Sequence, residues 1–477
     1  MSVQLLDENL RLREEYQDLL FQEERAKSVV AEHIYHSQVE QQFLIQKILA
    51  LKEQIAQLTS ELSTYKKKED DDSGTLQLDE SGEIKAGSVE KLTEALYSQK
   101  ENNDYQIKFL LTYRSFTSTR EVLDHLIVAY TRFANSANTP NDPDKIYRLK
   151  IGKFLKKWID DFRDFAEDKE ALDRYFNFIH QVMSIYDSTL SNSLKQTLDL
   201  RSKGLTRKTS QAIFSTPAPS PIVAKSLTPG SFTFVDIAPI EIARQLTLID
   251  YNLCRAIESK EFLGLAWTKK DKEKRSPNLL KMINHFNDIS RWSAWLVVSE
   301  PNIKKRSKIL SHLVSILQYL RELNNFNAMF MIVGGLGNSA VHRLHKTFDE
   351  IKSDKLKLLE DMKVLCDPLK SWANYRNTIH GINPPCVPFM GVYQTDLTFI
   401  EDGNPDKFSN GLINFKKCRM IASVIEEIQQ YQLKPYNLTP VPQIQEFISK
   451  SIEEGKASGL EDKQLFDLSL VAEPRQQ

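Results

Sequence analysis

Residues 384–406 read Pro-Pro-Cys-Val-Pro-Phe-Met-Gly-Val-Tyr-Gln-Thr-Asp-Leu-Thr-Phe-Ile-Glu-Asp-Gly-Asn-Pro-Asp. Pro384, Pro385 and Pro388 fix φ and remove backbone donors, so this stretch opens as a constrained extended segment and not as helix interior. An apolar run follows and ends in Glu401, Asp402, Gly403 and Asn404. Glycine and asparagine permit a tight turn there, and the two carboxylates face outward. The stretch reads as a rigid platform feeding an acidic-tipped projection, although a plain surface hairpin carries the same signature.

Downstream, Ile413, Ile421, Val424, Ile425, Ile428 and Tyr431 mark a long helix placed to buttress the projection. Upstream, Ile240, Ala243, Leu246, Ile249, Leu253 and Ile257 form one helical stripe, and Ile309, Leu313, Ile316, Leu317 and Leu320 form another. The helix over 304–322 is apolar on more than one side, which predicts a central position. No βα repeats or alternating strands stand out, so the chain reads as all-α. A globular domain is expected over 233–475.

Four further segments precede it. Leu44, Ile48, Leu51, Ile55, Leu58, Leu62 and Tyr65 recur at spacings of four and three, a coiled-coil seam within residues 1–66. The seam predicts self-association, with a helix folded back on the globular body as the alternative. Residues 67–88, rich in lysine, aspartate and glycine, read as a linker. Residues 89–187 resume helical patterning: Ser88 can cap a helix, and Phe154, Leu155, Trp158, Phe162, Phe165, Tyr175, Phe176 and Ile179 predict a packed helical core. Residues 188–232, with Pro217, Pro219, Pro221 and Pro229, read as a disordered Ser/Thr/Pro linker.

Composition excludes several classes of function. Among 477 residues, 63 Lys plus Arg balance 64 Asp plus Glu, so no global field selects nucleic acid. The four cysteines, Cys254, Cys366, Cys386 and Cys418, lack paired spacing, so neither a zinc site nor a disulfide framework is expected and a reducing compartment fits. The N-terminus is polar and acidic, and no apolar run nears the ~20 residues that span a bilayer, so a cytoplasmic protein is expected. Gly334-Gly335-Leu336-Gly337-Asn338 lacks the preceding strand and the Gly-Lys-Ser/Thr ending of a phosphate loop and reads as a helix end. His342 and His345 read as a surface pair, and Lys269–Arg275 as a solvated loop. No metal or cofactor is expected. Asn324-Asn325-Phe326-Asn327 reads as a helix start whose asparagines could also grip a partner's backbone.

Five ordered blocks carry a resemblance. They are Ala243–Asp250, Ser276–Ile283, Leu323–Asn327, Pro384–Pro405 and Ile413–Lys417, and together they resemble the catalytic domain of Ras-family guanine-nucleotide exchange factors, son-of-sevenless-like members above all. The 89–187 domain, through Tyr105–Phe116, is similar to the Ras exchanger motif domain; the likeness does not reach residues 1–80. It implies a helical bowl that binds a small GTPase of Ras, Rap or Ral type and inserts a helical hairpin, around 391–410, beside the nucleotide. It implies a carboxylate role for Asp402, a metal-crowding position for Thr398 where some members carry a larger aliphatic residue, and a place for Asn404 at the same tip. Phe330 and Phe389 would line the pocket for the GTPase's second switch, with Asn325, Asn327 and Glu401 at the interface. Membrane contact would be indirect, through the lipidated GTPase. A coiled-coil scaffold that docks a GTPase without accelerating exchange is the alternative.

Overall fold

In a computed structural model of the chain, the described residues are 8–19, 47, 50, 51, 53–55, 76–98, 103–134, 142–161, 168–202, 214–223, 232–459 and 461–475. They belong to two compact units, residues 1–208 with 406–416 and residues 209–405 with 417–477. The expected all-α class holds, with one small sheet added.

In the first unit, helix α1 (8–19) buries Leu12 and Leu19 against Leu51, with Tyr16 and Ile55 beside them. Asn9 Nδ2 donates to the Ile55 carbonyl oxygen at 3.3 Å, and Lys47 pairs with Glu15 at 3.2 Å. The part of the heptad seam at Leu51 and Ile55 thus meets an earlier helix of the same chain. A seam specifies burial and not the identity of its partner. Leu44, Ile48, Leu58, Leu62 and Tyr65 lie outside the described residues.

Residues 76–88 form a hairpin and correct the expected linker. Strands β1 (Gln77–Leu78) and β2 (Ile84–Gly87) pair antiparallel, and β2 pairs with β3 (Ile413–Asn414). Asp79 Oδ1 accepts from the amides of Ser81 (3.1 Å) and Glu83 (3.0 Å), closing the turn in which Gly82 takes φ +81°. The charged loop concealed a strand whose alternate residues Ile84 and Ala86 are buried.

Ser88 Oγ accepts from the Lys91 amide at 3.3 Å and caps α2 (Val89–Ser98), as its position predicts. Helices α3 (Asn103–Thr112), α4 (Thr119–Ala134) and α5 (Lys145–Asp161) complete an aromatic core in which Tyr113 stacks on Phe109 and meets Trp158 edge-on at 5.4 Å. Phe415 enters the same core. Phe176 is instead half exposed on α6 (Lys169–Asn177), and Phe162 and Phe165 lie outside the described residues.

The boundary expected after residue 187 also moves. Helix α7 (Ser188–Ser202) packs along α5, burying Leu194, and Ser191 Oγ donates to the Ile179 carbonyl oxygen at 2.6 Å. Asp187 accepts from the buried Arg148 at 3.0 Å, so position 187 is interior to this unit. Within the expected linker, residues 214–223 are held by side chains of the second unit, with the Ile222 amide donating to Glu241 Oε2 at 3.0 Å.

The second unit is built on α8 (Pro239–Ala256), α9 (Pro277–Val298), α10 (Ile303–Glu322) and α11 (Phe326–Leu336). Helix α10 is capped by Asn302 and buries Leu310, Leu313, Val314, Ile316, Leu317 and Leu320, which gives it the central place its sequence predicts. Gly334 and Gly335 lie inside α11, and the helix ends at Gly337. A Cβ on Gly335 would stand 2.2 Å from the Ser290 carbonyl oxygen, so this glycine permits close approach of α11 to α9. Helices α12 (Ser353–Cys366), α13 (Leu369–Ile379), α14 (Met390–Gly403) and α15 (Phe415–Leu433) follow, then α16 (Pro442–Ser458) and α17 (Asp462–Ala472).

Candidate functional site

The proline-rich platform is bonded to the start of α11. Val387 is fully buried; its amide donates to the Asn324 carbonyl oxygen (3.0 Å), and its carbonyl oxygen accepts from the amides of Phe326 (3.0 Å) and Asn327 (3.3 Å). Asn325 Oδ1 caps α11 by accepting from Ala328 N at 3.0 Å, while its Nδ2 donates to Thr247 Oγ1 (3.2 Å) and Asp250 Oδ2 (2.8 Å). Asp250 Oδ1 in turn meets His285 Nε2 at 2.8 Å. The sequence reading sets Asn325 and Asn327 against a partner, but they are 0% and 1% exposed. Asn325 is the helix cap and its side chain is engaged inside the protein, whereas Asn327, within the first turn, is buried with no hydrogen-bond partner for its Nδ2.

Above this base sits an aromatic cluster. Phe389 stacks on Phe330, centroids 4.0 Å apart and planes 11° from parallel, and meets Phe286 at 5.4 Å and Trp372 at 6.3 Å. Tyr375 packs edge-on to Phe330 at 5.3 Å, and its hydroxyl accepts from the Phe389 amide at 2.9 Å. Burial pushes the Tyr375 phenol well above its ordinary pKa, so it stays neutral and fixed. Gly391 lets the Phe389 ring fold over the first turn of α14, since a Cβ there would lie 2.4 Å from Phe389 Cζ. Trp372 reaches the cluster from a left-handed turn at Lys370, Ser371 and Trp372 (φ +52°, +55° and +59°). Each such non-glycine residue costs about 1–2 kcal/mol, which the surrounding packing must offset.

Helix α14 turns Met390, Val392, Tyr393 and Leu397 inward and is anchored along its length. Arg376 forks onto Asp396 (Nη1–Oδ2 2.8 Å, Nη2–Oδ1 2.7 Å), which raises the Arg376 pKa further. Tyr393 Oη donates to Glu427 Oε1 at 2.9 Å, and Lys417 pairs with Glu401. Glu401, expected at the interface, is occupied by this ion pair: its side chain is 16% exposed and that of Lys417 6%. Asn404 Nδ2 donates to the Ile400 carbonyl oxygen at 3.0 Å and closes the helix end. Thr398 Oγ1 donates back to the Gln394 carbonyl oxygen at 2.8 Å. Asp402, one residue beyond Glu401, is exposed.

The RasGEF domain family matches residues 241–419, and the RasGEF N-terminal motif matches residues 83–178. Ras guanine nucleotide exchange factor A of Dictyostelium discoideum is 32% identical over 432 residues, covering 87% of this chain and 69% of that protein. The chain belongs to the Ras guanine nucleotide exchange factor family. Ras guanine nucleotide exchange factor P of the same organism is 42% identical over 411 residues, 83% of this chain and 26% of that protein. Protein son of sevenless of Drosophila melanogaster is 32% identical over 433 residues, 81% of this chain and 26% of that protein. The chain thus spans about a quarter of the length of these last two relatives.

In this family member, the remaining polar motifs of the sequence play structural parts. His342 and His345 stand with ring centroids 6.3 Å apart, and no group of three or more potential metal ligands occurs among the described residues. The four cysteines are buried and free; burial pushes the Cys254 and Cys366 thiols up to about 12. No described helix is long and apolar enough to cross a membrane. The Arg376–Asp396 fork and the flanking rings of Phe286, Trp372 and Tyr375 went unread in the sequence. The two aromatics Trp372 and Tyr375, three residues apart in the segment ahead of the proline-rich platform, are the signal that could have flagged the aromatic cluster.

Proposed function

We propose that the chain is a guanine-nucleotide exchange factor for a Ras-family small GTPase of Ras, Rap or Ral type. It inserts α14 beside the bound nucleotide, displaces Mg²⁺ and GDP, and leaves the site open for GTP. The observation that carries this reading is an exposed carboxylate, Asp402, at the end of a helix anchored by Arg376–Asp396, Tyr393–Glu427 and Lys417–Glu401.

A GTPase holds its phosphates with P-loop amides, a lysine and Mg²⁺. A partner that expels the nucleotide must offer those donors another acceptor and crowd the metal. Asp402 is the acceptor, Thr398 lies on the same helical face, and Asn404 fixes the chain leaving the tip. Phe389 and Phe330 receive an apolar side chain of the GTPase's mobile switch, with Asn325 and Asn327 supporting the wall from within. No covalent bond changes. Tight binding of the empty GTPase is coupled reciprocally to weak binding of the loaded one, so incoming nucleotide releases the exchanger. Nucleotide concentrations set the direction of loading. The protein acts from the cytoplasm and meets the membrane through its lipidated partner, and residues 1–66 add self-association alongside the packing of Leu51 and Ile55 against α1 of the same chain.

The test is release of a fluorescent GDP analogue from Ras-, Rap- and Ral-type GTPases by the full chain. Acceleration of one of them supports exchange. Stable association with a GTPase and no acceleration of any would establish the docking scaffold instead.

A further inference from the structure

A cavity of about 570 Å³ lies within the first unit, between α1 and a wall made by α4, α6 and the π-helical turns Phe178–Met183. That volume falls in the range of small-molecule sites, about 300–1,000 Å³. π-Helical turns are rare and often mark functional sites. This one sets Phe178, Gln181 and Val182 on the cavity wall, and Gln181 Oε1, although buried, accepts no hydrogen bond among the described residues. Buried polar atoms of a closed core are almost always paired, so the wall has the character of a site and not of packed interior.

The polar part of the lining leaves one charge unanswered. Glu170 pairs with Arg120, Arg11 with Glu8 at 2.6 Å, and Arg174 with Asp124, and Arg174 also attracts Glu14. Arg13 differs: its Nε donates to the neutral Asn9 Oδ1 at 2.8 Å, and no carboxylate lies within ion-pair distance of it among the described residues. Burial pushes the Arg13 pKa down, the mark of a cation drawn out of water without a counter-charge. Leu10, Ile55, Ile127, Phe178, Val182 and Ile185 supply the apolar lining, which is mostly aliphatic. Ile185, half exposed, stands where this lining meets solvent.

We infer that this cavity binds a single-chain lipid anion, its carboxylate or phosphate on the Arg13 guanidinium and its acyl chain along the aliphatic lining. A guanidinium matches either oxyanion with a fork of parallel N–H donors. One unanswered cation calls for one headgroup, and each methylene moved out of water against the lining adds to affinity. Leu10 and Arg13 belong to α1, and Ile127 and Val182 to the opposite wall, so the same ligand ties α1 to the rest of the unit. The inference does not depend on the exchange reading.

The experiment measures binding to the full chain by isothermal titration calorimetry, with oleate and oleoyl lysophosphatidate as probes, each below its micelle concentration. Monooleoylglycerol carries the same chain without charge, inorganic phosphate the charge without a chain, and ATP a phosphate on a base. The expected result is saturable binding of at least one lipid anion with a raised Tm, and binding of the three controls weaker by about 10-fold or more. Tighter binding of oleate assigns the carboxylate source, and tighter binding of lysophosphatidate the phosphate source. Arg13→Gln should weaken the preferred anion by about 10-fold or more, the loss of one charge-assisted contact, and Arg13→Lys should weaken it less. No binding of either anion, equal binding of the neutral lipid, or tighter binding of ATP would overturn the inference. Arg13→Gln protein that binds the anion as tightly as wild type would also overturn it. Where Arg13→Gln lowers the melting temperature of the ligand-free protein, Ile185→Glu at its half-exposed position decides. Anion affinity should then fall by about 10-fold or more, and unchanged affinity would overturn the inference.

Discussion

The Arg376–Asp396 fork is the anchor nearest the middle of α14, and cutting it should separate the stability of the helix from its aim. The pair is bidentate at 2.7 and 2.8 Å, with side chains 28% and 29% exposed. Fully exposed pairs contribute about 0.2–1 kcal/mol, and well-shielded charge-assisted bonds about 1.5–3 kcal/mol. This geometry lies between them, so Asp396→Ala should cost about 1 kcal/mol. For a unit of this size that is a fall in Tm of about 2–4 °C. A domain with ordinary stability of ~5–15 kcal/mol stays almost wholly folded after such a loss. Any larger effect on exchange must then come from the position of the tip, where a misplacement of ~1 Å can cost about 100-fold. Asp396→Ala is expected to slow GDP release at least 10-fold, as should Arg376→Ala, and the double variant should be little worse than either. Additive losses in the double variant, or exchange that falls only in step with the folded fraction, would refute the anchoring argument.

Three further outcomes follow from local geometry. Ser371→Gly relieves a left-handed residue and should raise stability by about 1 kcal/mol, read as a higher Tm in a thermal melt, with exchange retained. Gly335→Ala drives a Cβ against the Ser290 carbonyl oxygen and should cost at least the ~1–3 kcal/mol of an overpacked core, measured by urea unfolding. Burial holds the His312 pKa below 6.5, so folding favours its neutral form; this contribution is fully present above pH 6.5 and is lost as pH falls through the depressed value. Melts at pH 7.5 and 5.5 should therefore converge for His312→Gln relative to wild type.

Much of the second unit was legible because its information is local. Proline fixes the platform, an apolar belt makes α10 central, and ordered blocks give the family. What escaped depends on distant partners. Residues 76–88 look too polar to fold, yet β2 pairs with β1 on one side and with Ile413–Asn414, distant in sequence, on the other, and Ile84 and Ala86 are buried. Helix α7 begins with serines and threonine and shows little amphipathic pattern; its place along α5 is what orders it. At the tip, Glu401 and Asp402 are equivalent in sequence, yet a rotation of about 100° between neighbours aims one at Lys417 and the other at solvent. Asn325 likewise could have faced a partner, and only Asp250 and Thr247, brought in from α8, show it to be an interior cap.

The most direct measurement is fluorescent-GDP release from the most responsive GTPase with the full chain carrying Asp402→Ala. Asp402 is exposed, so its loss should leave melting unchanged. Loss of one charge-assisted hydrogen bond of ~1.5–3 kcal/mol in the exchange transition state corresponds to a rate about 10- to 100-fold lower. That fall is expected in a folded protein that still binds the GTPase. Release by Asp402→Ala as fast as by wild type would contradict the role assigned to the carboxylate.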